Sequence, residues 1–336
     1  MYGNFCGRFI EGLAKNLIKV KPQLPQCSKI VTRRKHRSVV YPSSHSNRYK
    51  PVNFAYELFL PAKATNDELP PIIFLHGMTT SKEWSFGDLS QTIADRTKRK
   101  AYSLDARNHG DSGWCEEFSF DLNVEDLLHF MDEVRIPKAV IVGHSMGAYT
   151  GYRAAAKAPE RIATLFAEEM FVAKVPQAVT DIFLDLPKLW IEVEDFIPPG
   201  LEIEEAEHFI TEYVRSRNPS LVPPKNGRDD PLGLCHLLKK DPSGRVAFRA
   251  NLKVIQKNAS NIGSIMSELK GVYEGPTYII YGSKSPFEIH KHKESIRKHF
   301  PKAVFLEFGR AGHFVHKKCP KEYTEKVVKY ILENEK

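Results

Sequence analysis

The chain has 336 residues, of which 42% are hydrophobic, and no apolar run approaches the roughly 18 residues that span a bilayer, so no transmembrane helix is predicted. The formal net charge is +8, but residues 1–50 hold eleven Lys or Arg and one acid, which leaves 38 basic and 40 acidic residues in the body of the chain. Because the body is near neutral, we expect no nucleic-acid partner.

Residues 1–50 form a basic N-terminal arm with the pattern of an amphipathic cationic helix. Apolar side chains recur every four residues near its start, at Phe5, Phe9, Leu13 and Leu17. An acid-poor, amphipathic N-terminus rich in Lys and Arg predicts a mitochondrial transit peptide. The alternative is a basic tail that carries no targeting signal, on a cytoplasmic protein. Such an arm also suits peripheral contact with anionic lipid at a membrane surface.

From residue 51 onward, short β-like runs alternate with helical stretches. The predicted strands cover residues 52–60, 72–75, 101–105, 139–142 and 164–167. The predicted helices between them cover residues 88–97, 124–134 and 148–158. Such alternation predicts an α/β fold with a parallel sheet wrapped by helices.

Between residues 171 and 275 the alternation stops, and helical periodicity without clear strands replaces it. Two apolar stripes predict helices packed on a core: Ile182, Phe183, Leu186, Leu189 and Trp190, then Phe209, Ile210, Tyr213 and Val214. Further strands are predicted at 277–281 and 303–308, and a last helix at 322–332. We therefore interpret residues 51–170 and 276–336 as two parts of one core, with a helical lid inserted at residues 171–275.

The segment from Gly143 to Gly147 is a G-x-S-x-G motif between a predicted strand and a predicted helix. The two glycines leave room for a strained turn that exposes the hydroxyl of Ser145 at a helix N-terminus. The alternative interpretation is an ordinary glycine-flanked turn, which can have the same sequence. The strand-turn-helix context favours a nucleophilic serine.

Four segments together resemble the α/β-hydrolase superfamily. They are His76-Gly77 after one strand, the run from Asp105 to Ser112 after the next, the G-x-S-x-G motif, and Ala311-Gly312-His313 near the end. The second and third segments resemble in particular the abhydrolase domain-containing protein 11 group and its bacterial YbfF-like esterase relatives. The resemblance implies an α/β-hydrolase fold, with a mostly parallel central sheet flanked by helices, and a serine esterase activity.

The resemblance implies a Ser-His-acid triad, whose base is His313 because α/β-hydrolases place this residue between the last strand and the final helix. The acid has three candidates. Ser285 occupies the position where these enzymes normally carry an aspartate. The resembling group carries an acid after the preceding core strand instead, which implies Glu169, with Glu168 and Glu288 as alternatives. Both strand ends open on one edge of the sheet, so either can supply a carboxylate to the imidazole.

The backbone N–H groups of Met78 and Met146 are the expected oxyanion donors, since they follow His76-Gly77 and the nucleophile. The resemblance and the apolar lid imply hydrolysis of carboxylic esters, with lipid or other hydrophobic acyl esters as substrates, through an acyl-enzyme. The missing aspartate at Ser285 motivates the alternative, a hydrolase-fold binding or regulatory protein with weak or no turnover.

No cofactor and no metal is expected. The sequence has no Gly-rich phosphate loop and no His or carboxylate cluster with metal-ligand spacing. The cysteines follow no C-x-x-C pattern, so they predict neither a zinc site nor a disulfide framework and fit a reducing compartment. They are Cys6, Cys27, Cys115, Cys235 and Cys319.

Overall fold

A computed structural model describes residues 50–63, 65–172, 177–217, 234–259 and 269–335. The basic arm predicted for residues 1–50 lies outside the described residues except for Lys50, and so do Cys6 and Cys27. The three cysteines in the described ranges are free thiols. No helix in these ranges combines the length and the apolar content that a bilayer crossing requires.

The centre of the molecule is a seven-stranded, mostly parallel sheet. The strands of the described residues are β1 (Tyr56–Phe59), β2 (Ile72–Leu75), β3 (Ala101–Leu104), β4 (Ala139–His144), β5 (Ile162–Glu168), β6 (Leu238–Lys240), β7 (Val246–Phe248), β8 (Thr277–Gly282) and β9 (Ala303–Phe308). The sheet order is β1-β3-β2-β4-β5-β8-β9, in which β1 is antiparallel to β3 and the other neighbours are parallel. The predicted fold class is confirmed.

Helices cover both faces of the sheet. The helices of the described residues are α1 (Lys82–Thr97), α2 (Phe120–Glu133), α3 (Met146–Lys157), α4 (Gln177–Phe196), α5 (Ile203–Arg217), α6 (Leu252–Ala259), α7 (Lys293–His299), α8 (Val315–Lys318) and α9 (Pro320–Glu333). Of these, α4, α5 and α6 lie in the segment between β5 and β8. Successive strand residues point to opposite faces. Accordingly, Ile141 packs with α2 and α3 on one face, whereas Val140 and Val142 pack with α1 and α9 on the other.

The segment between β5 and β8 contains α4, α5, α6 and the small hairpin β6-β7, and it has an apolar core of its own. The α5 stripe is buried there together with Trp190 of α4. The expectation of no strands in this segment was wrong at the hairpin. Each of its strands has only three residues, too few for a clear alternation, and Asp241 stabilises the turn by accepting hydrogen bonds from the backbone N–H groups of Ser243 and Arg245.

The inserted segment contacts the core at the carboxyl edge of the sheet. Met78 and Trp84 of the core pack against the apolar cluster of the insertion. Arg249 forms an ion pair with Asp111, on the loop that follows β3. These contacts place the insertion beside the loops that follow β2 and β3.

Candidate active site

Ser145 stands on a sharp turn between β4 and α3, with φ 51° and ψ −113°. The flanking glycines are sterically required. A Cβ atom on Gly143 would lie 2.4 Å from the carbonyl carbon of Gly147, and one on Gly147 would lie 2.1 Å from the carbonyl oxygen of Leu75. The Ser145 N–H donates a 2.8 Å hydrogen bond to the carbonyl oxygen of Glu168. The chain therefore forms a tightly packed strand-turn-helix elbow at this serine.

Backbone strain is concentrated at the same edge of the sheet. The loops that follow β2, β3, β4 and β5 each contain a non-glycine residue with positive φ: Thr79 at 62°, Asn108 at 63°, Ser145 at 51° and Glu169 at 57°. Such conformations cost about 1–3 kcal/mol each and persist where the surrounding structure enforces them, which is typical of functional sites. The strain marks this edge as the candidate active site.

Glu169 is the carboxylate that the structure brings to His313. The Nδ1 atom of His313 lies 3.2 Å from Oε2 of Glu169, whose side chain is completely buried. The same carboxylate accepts hydrogen bonds from the backbone N–H of Gly282, at 2.7 Å, and from the hydroxyl of Ser285. Ser285, the residue in the usual aspartate position, therefore holds a carboxylate that comes from another strand.

The two alternative acids have other partners. Both oxygens of Glu168 lie 2.8 Å from Nδ1 of His316, and the pair is fully buried. Glu288 has a half-exposed side chain, and its carboxylate lies 2.7 Å from Nζ of Lys291. Of the three predicted candidates, Glu169 is thus the one positioned to orient the imidazole of His313.

Burial is the main influence on the pKa of both His313 and Glu169. Burial lowers the pKa of His313 below its ordinary value, so the imidazole is kept neutral and able to accept a proton. Burial is the largest effect on Glu169 and raises the pKa of its carboxyl group to about 8, while the hydrogen bonds from Ser285 and Gly282 act in the opposite direction. These donors favour the ionised form of the carboxylate but do not outweigh burial.

Aromatic rings fix the orientation of the imidazole. The ring of Phe287 stacks on His313 with 4.1 Å between centroids, and Phe314 contacts it edge-on at 5.2 Å. The His313 side chain retains 19% exposure, so one part of the ring remains accessible from outside. The Phe314 side chain is 39% exposed, and Trp84 packs against it. The rim of the site is therefore apolar.

Met78 and Met146 occupy equivalent positions after two neighbouring strands, β2 and β4. Leu75 of β2 pairs with Gly143 of β4, and each methionine follows its paired residue by three positions. Met146 is the first residue of α3, so its N–H has no acceptor within the helix. For the Met78 N–H, no protein acceptor is present among the described residues. Both N–H groups are thus available to a negatively charged oxygen.

Two buried histidines brace the loop that carries Met78. His76 contacts the carbonyl oxygen of Gly77 through Nδ1 and accepts from the N–H of Ala106 through Nε2. His109 accepts a 3.1 Å hydrogen bond from the N–H of Thr79. Burial lowers the pKa of both imidazoles, that of His109 to about 3, which keeps them neutral. They act as fixed hydrogen-bonding groups of the loop.

The fold also assembles a group that sequence spacing did not reveal. Nitrogen and oxygen atoms of His144, Glu168 and His316 all lie within 4.8 Å of one another, and the three side chains are buried. We call these residues the buried cluster. His316 already engages both oxygens of the carboxylate, so hydrogen bonding accounts for the arrangement. The available signals were the Glu168-Glu169 doublet and the two-residue gap between His313 and His316.

Comparison with known proteins agrees with this architecture. Residues 70–318 match the family model described as alpha/beta hydrolase fold. The chain belongs to the α/β-hydrolase family. It is 30% identical over 285 residues to an abhydrolase domain-containing protein of Schizosaccharomyces pombe, covering 84% of this chain and 98% of that protein.

Two further relatives have names that state a reaction. Over 283 residues the chain is 28% identical to sn-1-specific diacylglycerol lipase ABHD11 of Mus musculus, covering 84% of this chain and 86% of that protein. Over 306 residues it is 27% identical to ethanol acetyltransferase 1 of Cyberlindnera fabianii, covering 83% and 86%. These matches confirm the resemblance to the abhydrolase domain-containing protein 11 group. A solved structure described as a marine microorganism esterase has a TM-score of 0.65 at 23% identity, covers 83% of this chain and 98% of its own, and shows the shared fold.

Proposed function

We propose that this protein is a serine hydrolase that cleaves carboxylic esters with lipid or other hydrophobic acyl groups. The observation that carries the proposal is the contact of His313 with Glu169, a buried carboxylate held by Ser285 and Gly282. Glu168 pairs in register with His144 of β4, so Glu169 and Ser145 each follow directly after a paired residue. This register supports a shared site for the serine, the base and the acid.

In the proposed reaction, the Ser145 hydroxyl attacks the acyl carbonyl while Nε2 of His313 takes its proton. Glu169 keeps the imidazole oriented through Nδ1 and stabilises the imidazolium. The Met78 and Met146 N–H groups donate to the tetrahedral oxyanion, a role in which one lost donor costs about 3–4 kcal/mol. The imidazolium then protonates the leaving alcohol. Water, activated by the same imidazole, releases the carboxylic acid and restores the serine.

The apolar rim supports a hydrophobic acyl substrate. Phe287 and Phe314 contact the imidazole of His313, and Trp84 packs against Phe314. The name of the mouse relative, a diacylglycerol lipase, points to the same substrate class. The name of the Cyberlindnera fabianii relative, ethanol acetyltransferase 1, indicates that an alcohol can replace water as the acceptor of an acyl group in a related protein.

The alternative of a binding protein with weak turnover was motivated by the serine in the usual acid position. Glu169 supplies a carboxylate at that point, and Ser285 donates to it. This arrangement supports the enzyme proposal over the alternative.

A fluorophosphonate probe tests the proposal, because it reacts with activated serines. We expect rapid labelling of the native protein and none of the Ser145→Ala variant. A series of esters with increasing acyl length, including a diacylglycerol, then defines the substrate class, and added ethanol tests acyl transfer. Absence of labelling in native protein, or equal labelling of Ser145→Ala, would refute the enzyme proposal.

A further inference from the structure

Consecutive carboxylates at the end of β5 hold two different histidines. Glu169 contacts His313, and Glu168 contacts His316. Both histidines lie in the segment that follows β9, three residues apart. Glu168 is the last residue of β5, and the positive φ of Glu169 turns the chain directly after it. The two side chains can therefore serve separate partners at one edge of the sheet.

Glu168 anchors the chain immediately after His313. One of its oxygens accepts a 3.1 Å hydrogen bond from the backbone N–H of His316, and both oxygens are 2.8 Å from Nδ1 of the same residue. The His316 ring is 1% exposed and packs against Phe86, with 4.7 Å between ring centroids. This contact fixes the first turn of α8, and with it one end of the loop that carries the base.

His144 anchors the same loop at a second point. Its Nε2 atom lies 3.0 Å from the carbonyl oxygen of His313, to which it donates. Its ring is 4.7 Å from the ring of His313 and 4.9 Å from that of His316, measured between centroids. Since His144 directly precedes Ser145, it joins the nucleophile turn to the loop of the base.

We infer that the buried cluster of His144, Glu168 and His316 positions the catalytic imidazole. It holds the loop of His313 against the nucleophile turn, and the Glu168 carboxylate supplies a second negative charge that favours the imidazolium formed during attack. The inference rests on the proposed function, and it assigns a role to Glu168 other than the triad acid that the sequence left open.

Four ionisable groups of the described part of the chain face the His313 imidazole: Glu169, Glu168, His144 and His316. Glu168 raises the pKa of His313 and His316 lowers it, although burial, which lowers it, is the larger effect. Glu168 also raises the pKa of Glu169. Removal of the Glu168 charge therefore shifts the pKa of both triad members downward. Because protonation of either member stops the reaction, the acid limb of the pH profile moves to lower pH.

Two variants separate the charge of Glu168 from its geometry. In Glu168→Gln the charge is lost at constant shape, so we expect a lower kcat, an unchanged KM for a small ester, and an acid limb at lower pH. In Glu168→Asp the negative charge remains, but the side chain is shorter by one methylene group, so kcat falls while the acid limb of the pH profile stays in place. A loss of kcat of about tenfold or more is expected from a misplaced base. Glu288→Gln is the matched control, since that carboxylate is exposed and paired elsewhere.

A second pair of variants tests the positioning role of the buried cluster if the Glu168 variants do not fold. His144→Gln retains an N–H donor at a similar reach, whereas His144→Leu has none, so we expect the glutamine to recover most of the kcat that the leucine loses. All rates are normalised to active sites titrated with the fluorophosphonate.

The inference is overturned if Glu168→Gln retains both the rate and the acid limb of the wild type, or if the limb moves upward. For the His144 pair, equal kcat values overturn it. If the native protein is not labelled by the probe, the proposed function itself fails. Normal labelling of the native protein with unchanged Glu168 variants rejects the positioning role alone.

Discussion

Replacement of Ser285 by alanine removes a hydrogen bond from a buried carboxylate. Ser285 is 6% exposed, and its hydroxyl donates to Oε2 of Glu169, which is 0% exposed. A hydrogen bond to a charged group contributes about 1.5–3 kcal/mol, and one pKa unit corresponds to about 1.4 kcal/mol. The pKa of Glu169 should therefore rise by roughly 1–2 units in Ser285→Ala.

The sign of the resulting pH effect follows from the active protonation state. The proposed reaction needs an ionised Glu169 and a neutral His313. The Ser285 hydroxyl lowers the pKa of the carboxylate, so its loss lets protonation occur at higher pH. We expect the acid limb of kcat/KM to move upward by roughly 1–2 units, with a rate about 10–100-fold lower on the limb and largely recovered at higher pH.

The assay is the pH dependence of hydrolysis of a soluble short-chain ester, with active sites titrated by fluorophosphonate. Ser285→Thr retains the hydroxyl and should restore the wild-type limb. Ser283→Ala is the matched control, because the Ser283 hydroxyl donates to the carbonyl oxygen of Gly309 at an exposed position. Superimposable profiles for Ser285→Ala and wild type, or a downward shift, would refute the reasoning.

Three further predictions address the acid, the elbow and the N-terminal arm. Glu169→Gln should lower kcat by about 100-fold or more, since it removes the charge that stabilises the imidazolium. Glu288→Gln should leave kcat unchanged. A larger loss of steady-state kcat in Glu288→Gln than in Glu169→Gln would assign the acid to Glu288. Gly147→Ala should lower the free energy of unfolding in urea by several kcal/mol, roughly the cost of backbone displacement in a packed core, whereas Gly87→Ala, with open space in α1, should be neutral or stabilising by up to about 1 kcal/mol. N-terminal sequencing of protein isolated from its native cells should give a mature end within the basic arm, and an intact Met1 would contradict a cleaved transit peptide.

Local sequence patterns located the elements that build the site. The apolar runs at residues 72–75 and 139–142 predicted β2 and the beginning of β4, because buried parallel strands need apolar side chains on both faces. The paired glycines around Ser145 predicted a tight turn, and the structure shows backbone atoms where their Cβ atoms would be. The hairpin β6-β7 was not predicted, because strands of three residues are too short to show an alternating apolar pattern.

By itself, the sequence determined the order of the central-sheet strands along the chain and the elbow at Ser145, because each depends on residues close together in the chain, while the family resemblance made His313 the candidate base. It did not determine which carboxylate faces the imidazole. Glu168 and Glu169 are neighbours with the same local pattern, yet their histidine partners lie 148 and 144 residues away. Only the tertiary structure decided between them, since the partner of a buried charge depends on how the loops after β5, β8 and β9 pack together.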